Sequence, residues 1–385
     1  MKSKLTRLIE AKLRTTLRDM PVLKRHALQL LERRDRRRHS AWRQNPSLVR
    51  ALPRKMTVAV TAACDQRCTG CRYGRDFMPG HMLETGLALR LLEDASAAGV
   101  TMVRLYGGEL LLHPELPTMI RHSIALGMST YVTTNGILLG KRAKEVHDAG
   151  LRGLTIGYYG DGAAYDRYVG AVGRHAKLTR SLETVRDRFG DDFQIQLNYL
   201  VMRPSCNLEA LQKARAYCER FDLRFNTDLI HYSLPYFSEG PERELRFRPE
   251  DEADVHAFVD ALLAWRREDP RRFTEPEASL RSIPDWLFLG PNLRIPCDAY
   301  KLLWVGADGT VQLCYVTFPL GNLHEQRLSD MLGTAKHHEA ARAAFCLECP
   351  GCHCERSHRI AKDAPSFERY SRDDGGASFR ASASV

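Results

Sequence analysis

The sequence predicts an α/β protein: βα units wound around a parallel sheet, preceded by a basic helical arm and followed by a small cysteine-rich module. Three observations carry this reading. From Lys55 onward, short apolar β-type runs alternate with amphipathic helical segments, as parallel strands joined by helical crossovers do. The eleven cysteines are grouped, three at 64, 68 and 71 and six at 297, 314, 346, 349, 352 and 354, with only 206 and 218 between. Basic charge is concentrated as well: residues 1–55 hold 17 of the 57 Lys and Arg but 4 of the 47 Asp and Glu.

The 385 residues accommodate one barrel of roughly 200–250 residues and an appendage. Cysteines this clustered suit metal ligation in a reducing compartment better than a disulfide framework, so a cytoplasmic location is expected. No stretch reaches the ~18 apolar residues of a membrane span, and no uninterrupted apolar run marks a secretory signal.

In the arm, Leu5, Ile9, Leu13, Leu17 and Met20 recur at helical spacing, Pro21 interrupts, and Ala27, Leu30 and Leu31 resume before the basic run 33–38. Two basic amphipathic helices are expected. They suit a membrane-surface anchor, a partner-docking arm, a grip on an acidic substrate, or a solvated extension laying its apolar stripe on the barrel. Nucleic acid is disfavoured, because the basic stretch has no aromatic platform beyond Trp42.

Strands are expected at 57–61, 101–106, 129–133, 154–158, 193–202 and 223–230. Helices are expected at 83–98, 115–126, 140–149, 174–189 and 207–221, with a further one at 249–267 before a Pro- and charge-rich connection at 268–284.

The first strand runs into Cys64-Asp65-Gln66-Arg67-Cys68-Thr69-Gly70-Cys71. Three thiols at C-x3-C-x2-C spacing can turn onto three corners of an iron–sulfur cube and leave the fourth iron open. Zinc also takes thiolates at short spacings. The second strand ends in Gly107-Gly108-Glu109, and this pair of motifs in this order resembles the radical S-adenosylmethionine (SAM) superfamily. The resemblance implies a partial (β/α)6 TIM-like barrel. It also implies a [4Fe-4S] cluster on Cys64, Cys68 and Cys71 whose open iron binds SAM, with Gly107, Gly108 and Glu109 at the methionine amino group.

Other strand ends extend the likeness. Thr133-Thr134-Asn135-Gly136 is similar to the family's T-N-G, which places Thr134 and Asn135 toward SAM. Tyr165-Asp166-Arg167-Tyr168-Val169-Gly170 is similar to its H-D-x-x-R/V-G. Many members have an aromatic residue where this chain has Gly70, so the adenine falls to Tyr73. Leu110 stands where Pro often follows Gly-Gly-Glu. By the period of two, Gln196 and Asn198 share one strand face and Asn226 and Asp228 another. Asn198 is assigned to the cofactor, and Cys206, just past the fifth strand, is a candidate hydrogen-atom donor. Cys218 reads as an inert core thiol.

Cys297 and Cys314 flank a hairpin with an Asp308-Gly309 turn, and Cys346-x2-Cys349-x2-Cys352-x-Cys354 follows. This order resembles the SPASM/Twitch modules that hold auxiliary iron–sulfur clusters. Six thiols close one four-cysteine cluster. Cys297, Cys314, Cys346 and Cys349 are favoured, while Cys352, Cys354 and His353 could substitute or cap a second, incomplete site; a zinc knuckle is the alternative. The expected organisation is an arm at 1–54, a barrel at 55–235, a helical linker at 236–285, the auxiliary module at 286–360 and a disordered tail at 361–385.

The resemblance implies reductive cleavage of SAM to a 5′-deoxyadenosyl radical that abstracts hydrogen from a substrate. The electron would come from a flavodoxin or ferredoxin. The expected outcome is oxidation or cross-linking of a peptide or natural-product precursor, with a small-molecule dehydrogenase as the alternative. A reading from another class, a scaffold in which metal only stabilises the fold, has no use for the Gly-Gly-Glu.

Overall fold

A computed structural model describes residues 21–73, 75–231, 237, 241–315 and 318–362. The expected helix before Pro21 and the expected disordered tail from 363 onward lie outside the described residues. Six strands form an open parallel sheet: β1 (Lys55–Thr61), β2 (Met102–Gly107), β3 (Ser129–Thr134), β4 (Gly153–Tyr158), β5 (Gln194–Val201) and β6 (Arg224–Leu229). They pair in sequence order. Three short antiparallel-linked strands, β7 (Leu302–Val305), β8 (Thr310–Gln312) and β9 (Pro319–Asn322), extend the sheet. They join because β7 lies parallel to β1, with Met56 opposite Leu303.

A helix α1 (Pro21–Gln44) precedes the sheet, and the crossovers are α2 (Thr85–Ala98), α3 (Leu116–Ala125), α4 (Leu139–Asp148), α5 (Ala163–Val169), α6 (Arg174–Phe189) and α7 (Leu208–Arg220). The pattern of α2 shows why such segments are helical: Leu87, Ala88, Leu91, Leu92 and Ala95 share one buried face. Gly99 then stops the helix in the left-handed conformation, φ 95°. Strand β5 alternates strictly, with Ile195, Leu197, Tyr199 and Val201 buried and Gln196 and Asn198 half-buried. The apolar set packs under the helices while the polar set faces the cavity, so the period of two divides core from site.

The region expected as a linker packs on the barrel edge. Helix α8 (Glu252–Glu268) buries Val255, Phe258, Leu262 and Trp265, and Phe273 bridges Phe225 of β6 in parallel fashion. Helix α1 begins at Pro21, where the sequence placed a break. Its C-terminal half packs on the C-terminal module: Trp42 meets Tyr300 edge-on at 5.0 Å and His39 meets Phe345 at 4.9 Å. Asp35 accepts from Lys301 at 2.8 Å. Leu30, expected in the apolar stripe, is exposed. No helix among the described residues is long and apolar enough to cross a membrane.

Candidate active site

Cys64, Cys68 and Cys71 sit on the loop leaving β1, and the chain fixes that loop from three sides. The Arg67 amide donates to the Val169 carbonyl at 3.1 Å and the Thr69 amide to the Tyr168 carbonyl at 2.8 Å, joining the loop to the end of α5. Gly170 follows at φ 72°, and a Cβ there would stand 2.9 Å from the Arg67 carbonyl oxygen. Below the loop, the Gly108 amide donates to Thr61 O at 2.8 Å and the Glu109 amide to Ala63 O at 2.7 Å. Any Cβ at Gly107 or Gly108 would collide with the backbone carbonyls of Thr61, Ala62 or Ala63. Gly107 also holds φ 150°, so both glycines are required by the close approach of the second strand's end to the cysteine loop.

Glu109 ties these parts together. Its buried carboxylate accepts from Thr134 Oγ1 at 2.7 Å, from the Asn135 amide at 2.8 Å and from the Leu111 amide at 3.0 Å. Burial pushes its pKa up to about 7, against the pull of those three donors. Asn135 Nδ2 then donates to Asp65 Oδ1 at 2.7 Å, and Arg174 reaches the other Asp65 oxygen at 3.1 Å and the Asp65 carbonyl at 2.9 Å. One network therefore spans the cysteine loop, the Gly-Gly-Glu turn, the end of β3 and the start of α6.

The donor set suits a cationic metal core. Burial raises the pKa of all three thiols, and Cys71 further opposes the ionisation of Cys64, as Cys64 and Cys71 oppose that of Cys68. A positively charged cluster would compensate both effects. The residues present thus fit the iron–sulfur group that the spacing implies, with the loop ordered around three thiols.

A polar cavity of about 350 Å³ lies inside the sheet's curve. Arg104, Tyr131, Gln196, Asn198, Asn226 and Asp228 supply its barrel wall, and residues 353–358 supply the wall facing the C-terminal module. Gln196, Asn198, Asn226 and Asp228 were singled out by strand period, and they meet there. Asn226 Nδ2 donates to Asn198 Oδ1 at 2.8 Å and Asn198 Nδ2 to Asp228 Oδ2 at 3.3 Å. Arg104 and Tyr131 escaped the sequence reading, although they are register partners on β2 and β3 and the same period would have found them. Arg104 donates to Thr133 Oγ1 at 2.8 Å and to the Tyr315 hydroxyl at 3.4 Å.

Two expected site residues are buried. Cys206 is buried in the main apolar core, its thiol pushed up to about 12, and does not line the cavity. A thiol packed in that core is poorly placed to give a hydrogen atom to a substrate. Tyr73 is also buried, with its hydroxyl 3.0 Å from that of Tyr106 and its ring edge-on to Phe77. It packs in a small cluster with Trp304 and Ala307, beside Cys71 of the cysteine loop. Cys218 is fully buried.

Among the late cysteines, the thiols of Cys352 and Cys314 both bear on Cys354, and Cys352 and Cys354 share a hydrogen bond. The Cys297 amide points at the carbonyl of Phe345, the residue before Cys346, at 3.5 Å. Arg359 joins the two segments, donating to Cys352 O at 2.6 Å and to Ile295 O at 2.5 Å. Cys354 lines the cavity, with the Cys314 and Cys352 thiols beside it.

The sequence profile of the Radical SAM superfamily matches residues 58–214. The chain is 36% identical over 101 residues to a GTP 3′,8-cyclase of Chlorobaculum tepidum, covering 26% of this chain and 31% of that protein. It is 28% identical over 289 residues to an AdoMet-dependent heme synthase of Methanosarcina barkeri, covering 70% and 77%. The solved structure of native anSMEcpe with bound AdoMet superposes with a TM-score of 0.59 at 16% identity, over 83% of this chain and 96% of that one. The chain thus spans about a third of the cyclase and about three quarters of the heme synthase.

Proposed function

We propose, because residues 58–214 match the Radical SAM superfamily, that the chain reductively cleaves SAM and oxidises a compact, polar natural-product precursor held in the cavity. The observation that carries this is the shared network of Asp65, Asn135, Glu109 and Thr134, which locks the three-thiol loop against the Gly-Gly-Glu turn. When bound, the cluster and SAM supply a 5′-deoxyadenosyl radical that removes a hydrogen atom from substrate.

The chain's own residues do the rest. Cys64, Cys68 and Cys71 hold the cluster, and Gly107, Gly108 and Glu109 shape the site for the methionine end of SAM. Thr134, Asn135 and Asn198 orient polar groups around it. Residues 353–358 wall the cavity and exclude water. Cys354, which lines the cavity, and the neighbouring Cys314 and Cys352, with a fourth thiol from Cys297, Cys346 or Cys349, would hold an auxiliary cluster, which would supply an acceptor for the electron that oxidation releases. The cavity's size and polar lining favour a small molecule. The heme synthase relative, aligned over 77% of its length, carries a small-molecule name.

A precursor peptide inserting one side chain is the second reading, favoured by the exposed Arg33, Arg34 and Arg37 on α1, which would hold an acidic leader. A reducing cytoplasm and an acidic flavodoxin- or ferredoxin-type donor accompany either reading.

The test is 5′-deoxyadenosine release, by mass spectrometry, from anaerobically reconstituted protein with SAM and a strong reductant, beside a Cys71→Ala control. Release that the control abolishes is expected. Protein that takes up zinc in place of iron and does not bind SAM would overturn the reading.

A further inference from the structure

Asp228, His231 and His353 bring one carboxylate and two imidazoles together with their ligand atoms all within 4.8 Å of one another. They come from two remote segments, the end of β6 and the cysteine-rich C-terminal stretch. The His231 and His353 rings stack at 4.1 Å between centroids. Asp228 Oδ1 faces Nε2 of both, at 4.0 Å from His231 and 3.8 Å from His353. Those separations are too long for hydrogen bonds. They lie close to the roughly 3.3 Å edge of a tetrahedral set at ~2.0–2.1 Å from a central ion.

The carboxylate is also pre-oriented. Oδ2 accepts from Asn198 at 3.3 Å, Asn198 is held in turn by Asn226 at 2.8 Å, and Oδ1 accepts the Leu229 amide at 3.0 Å. Such outer hydrogen bonds are what fix ligands in metal sites. All three side chains line the 350 Å³ cavity, so a fourth position would face substrate. The neighbouring Arg356 is compensated by Glu275, with which it forms a buried ion pair.

We infer that Asp228, His231 and His353 form a three-ligand site for a divalent ion of the zinc class, separate from the thiolate clusters and open to the cavity. Three nitrogen and oxygen ligands with one open position describe a substrate-facing ion, not a structural one. The site does not depend on SAM cleavage, and its readout is metal content.

The experiment incubates anaerobically reconstituted holoprotein with zinc, removes loose metal by gel filtration, and counts zinc, iron and sulfide in the wild type, His231→Ala and Asp228→Asn. About one zinc per chain is expected in the wild type and at least a tenfold loss of occupancy in both variants, with iron and sulfide unchanged. Three results overturn the inference: no zinc in the wild type; zinc retained in both variants, which assigns it to thiolates; or iron lost in both, which assigns the histidines to a cluster. Asp228→Asn keeps the side-chain shape and decides the matter if His231→Ala fails to fold.

Discussion

Asn135 Nδ2 donates to Asp65 Oδ1 at 2.7 Å across 70 residues of chain, so the end of β3 holds the loop that carries the three thiols. A hydrogen bond to a charged group contributes about 1.5–3 kcal/mol, and Arg174 remains on the other Asp65 oxygen when this one is lost. Asn135→Ala should therefore weaken SAM binding by roughly 10- to 100-fold while iron content stays within the wild-type range. Asp65→Ala frees both partners and should lower cluster retention as well. Equilibrium SAM binding with parallel iron and sulfide counts checks both; unchanged affinity in Asn135→Ala would show that the network only decorates the loop.

Gly108 and Gly80 give a controlled pair. A Cβ at Gly108 would run into the carbonyls of Ala62 and Ala63, which are backbone and have no room to give, whereas Gly80 at φ 75° has nothing within 4 Å. Gly80→Ala should cost on the order of 1 kcal/mol from backbone conformation alone. Gly108→Ala must displace the strand end and should cost about 1–3 kcal/mol or more and abolish SAM cleavage. Thermal midpoints of the two variants, measured side by side, separate steric collision from conformational cost.

What the sequence made legible was local. The six parallel strands and every crossover helix but the short α5 (Ala163–Val169) could be read because a period of two or 3.6, or a continuous apolar run, marks them within six to sixteen residues. The cysteine loop and the Gly-Gly-Glu turn were legible because their chemistry depends on spacing along the chain. What stayed hidden depends on pairing across the fold. Nothing near Asp65 announces Arg174, and nothing near Glu275 announces Arg356. The parallel seating of β7 on β1 follows from which sheet edge is open, not from the hairpin's own residues. Helix α1 chose the C-terminal module because Trp42 and His39 find Tyr300 and Phe345 there, a match between surfaces that a helical stripe alone does not specify. Cys206 was misplaced for the same reason: proximity to a strand end says nothing of whether the thiol turns to the cavity or the core.

Glu275 closes the cavity wall. One carboxylate oxygen accepts from Arg356 and from Ser279 Oγ at 3.0 Å, and the other accepts the Thr227 amide at 2.7 Å. This joins β6, the segment after α8 and the C-terminal stretch in one buried group. Removing one partner of a buried pair leaves the other charge uncompensated and costs about 3–5 kcal/mol. Arg356→Ala should lose stability in that range and raise amide exchange across 353–360. The double variant Glu275→Leu/Arg356→Leu should recover much of the loss, which denaturant unfolding of all three proteins would reveal; additive losses would contradict the argument.

The docking of α1 should depend on pH through His39. Both ring nitrogens are buried without hydrogen-bond partners, and burial lowers the pKa from 6.5 to about 4 against the attraction of Asp298. The fold thus holds the neutral ring, while the unfolded chain takes up the proton near pH 6.5. As pH falls from 6.5 toward 4 the unfolded state binds more protons, so stability is lost across that window and is fully present above it. Between pH 7 and pH 5.5 the linkage amounts to about 1 kcal/mol from this residue. His337, also lowered to about 4 by burial, adds to the same slope. Asp298 contributes in the opposite range: its pKa is lowered to about 2, with Lys362 and Lys301 opposing the effect of burial, so its share persists until the pH falls below about 4. In His39→Leu the apolar contact with Phe345 is kept and the titration removed. The variant should therefore show a smaller drop in thermal midpoint between pH 7 and pH 5.5 than the wild type, and an equal drop would assign the pH dependence to other groups.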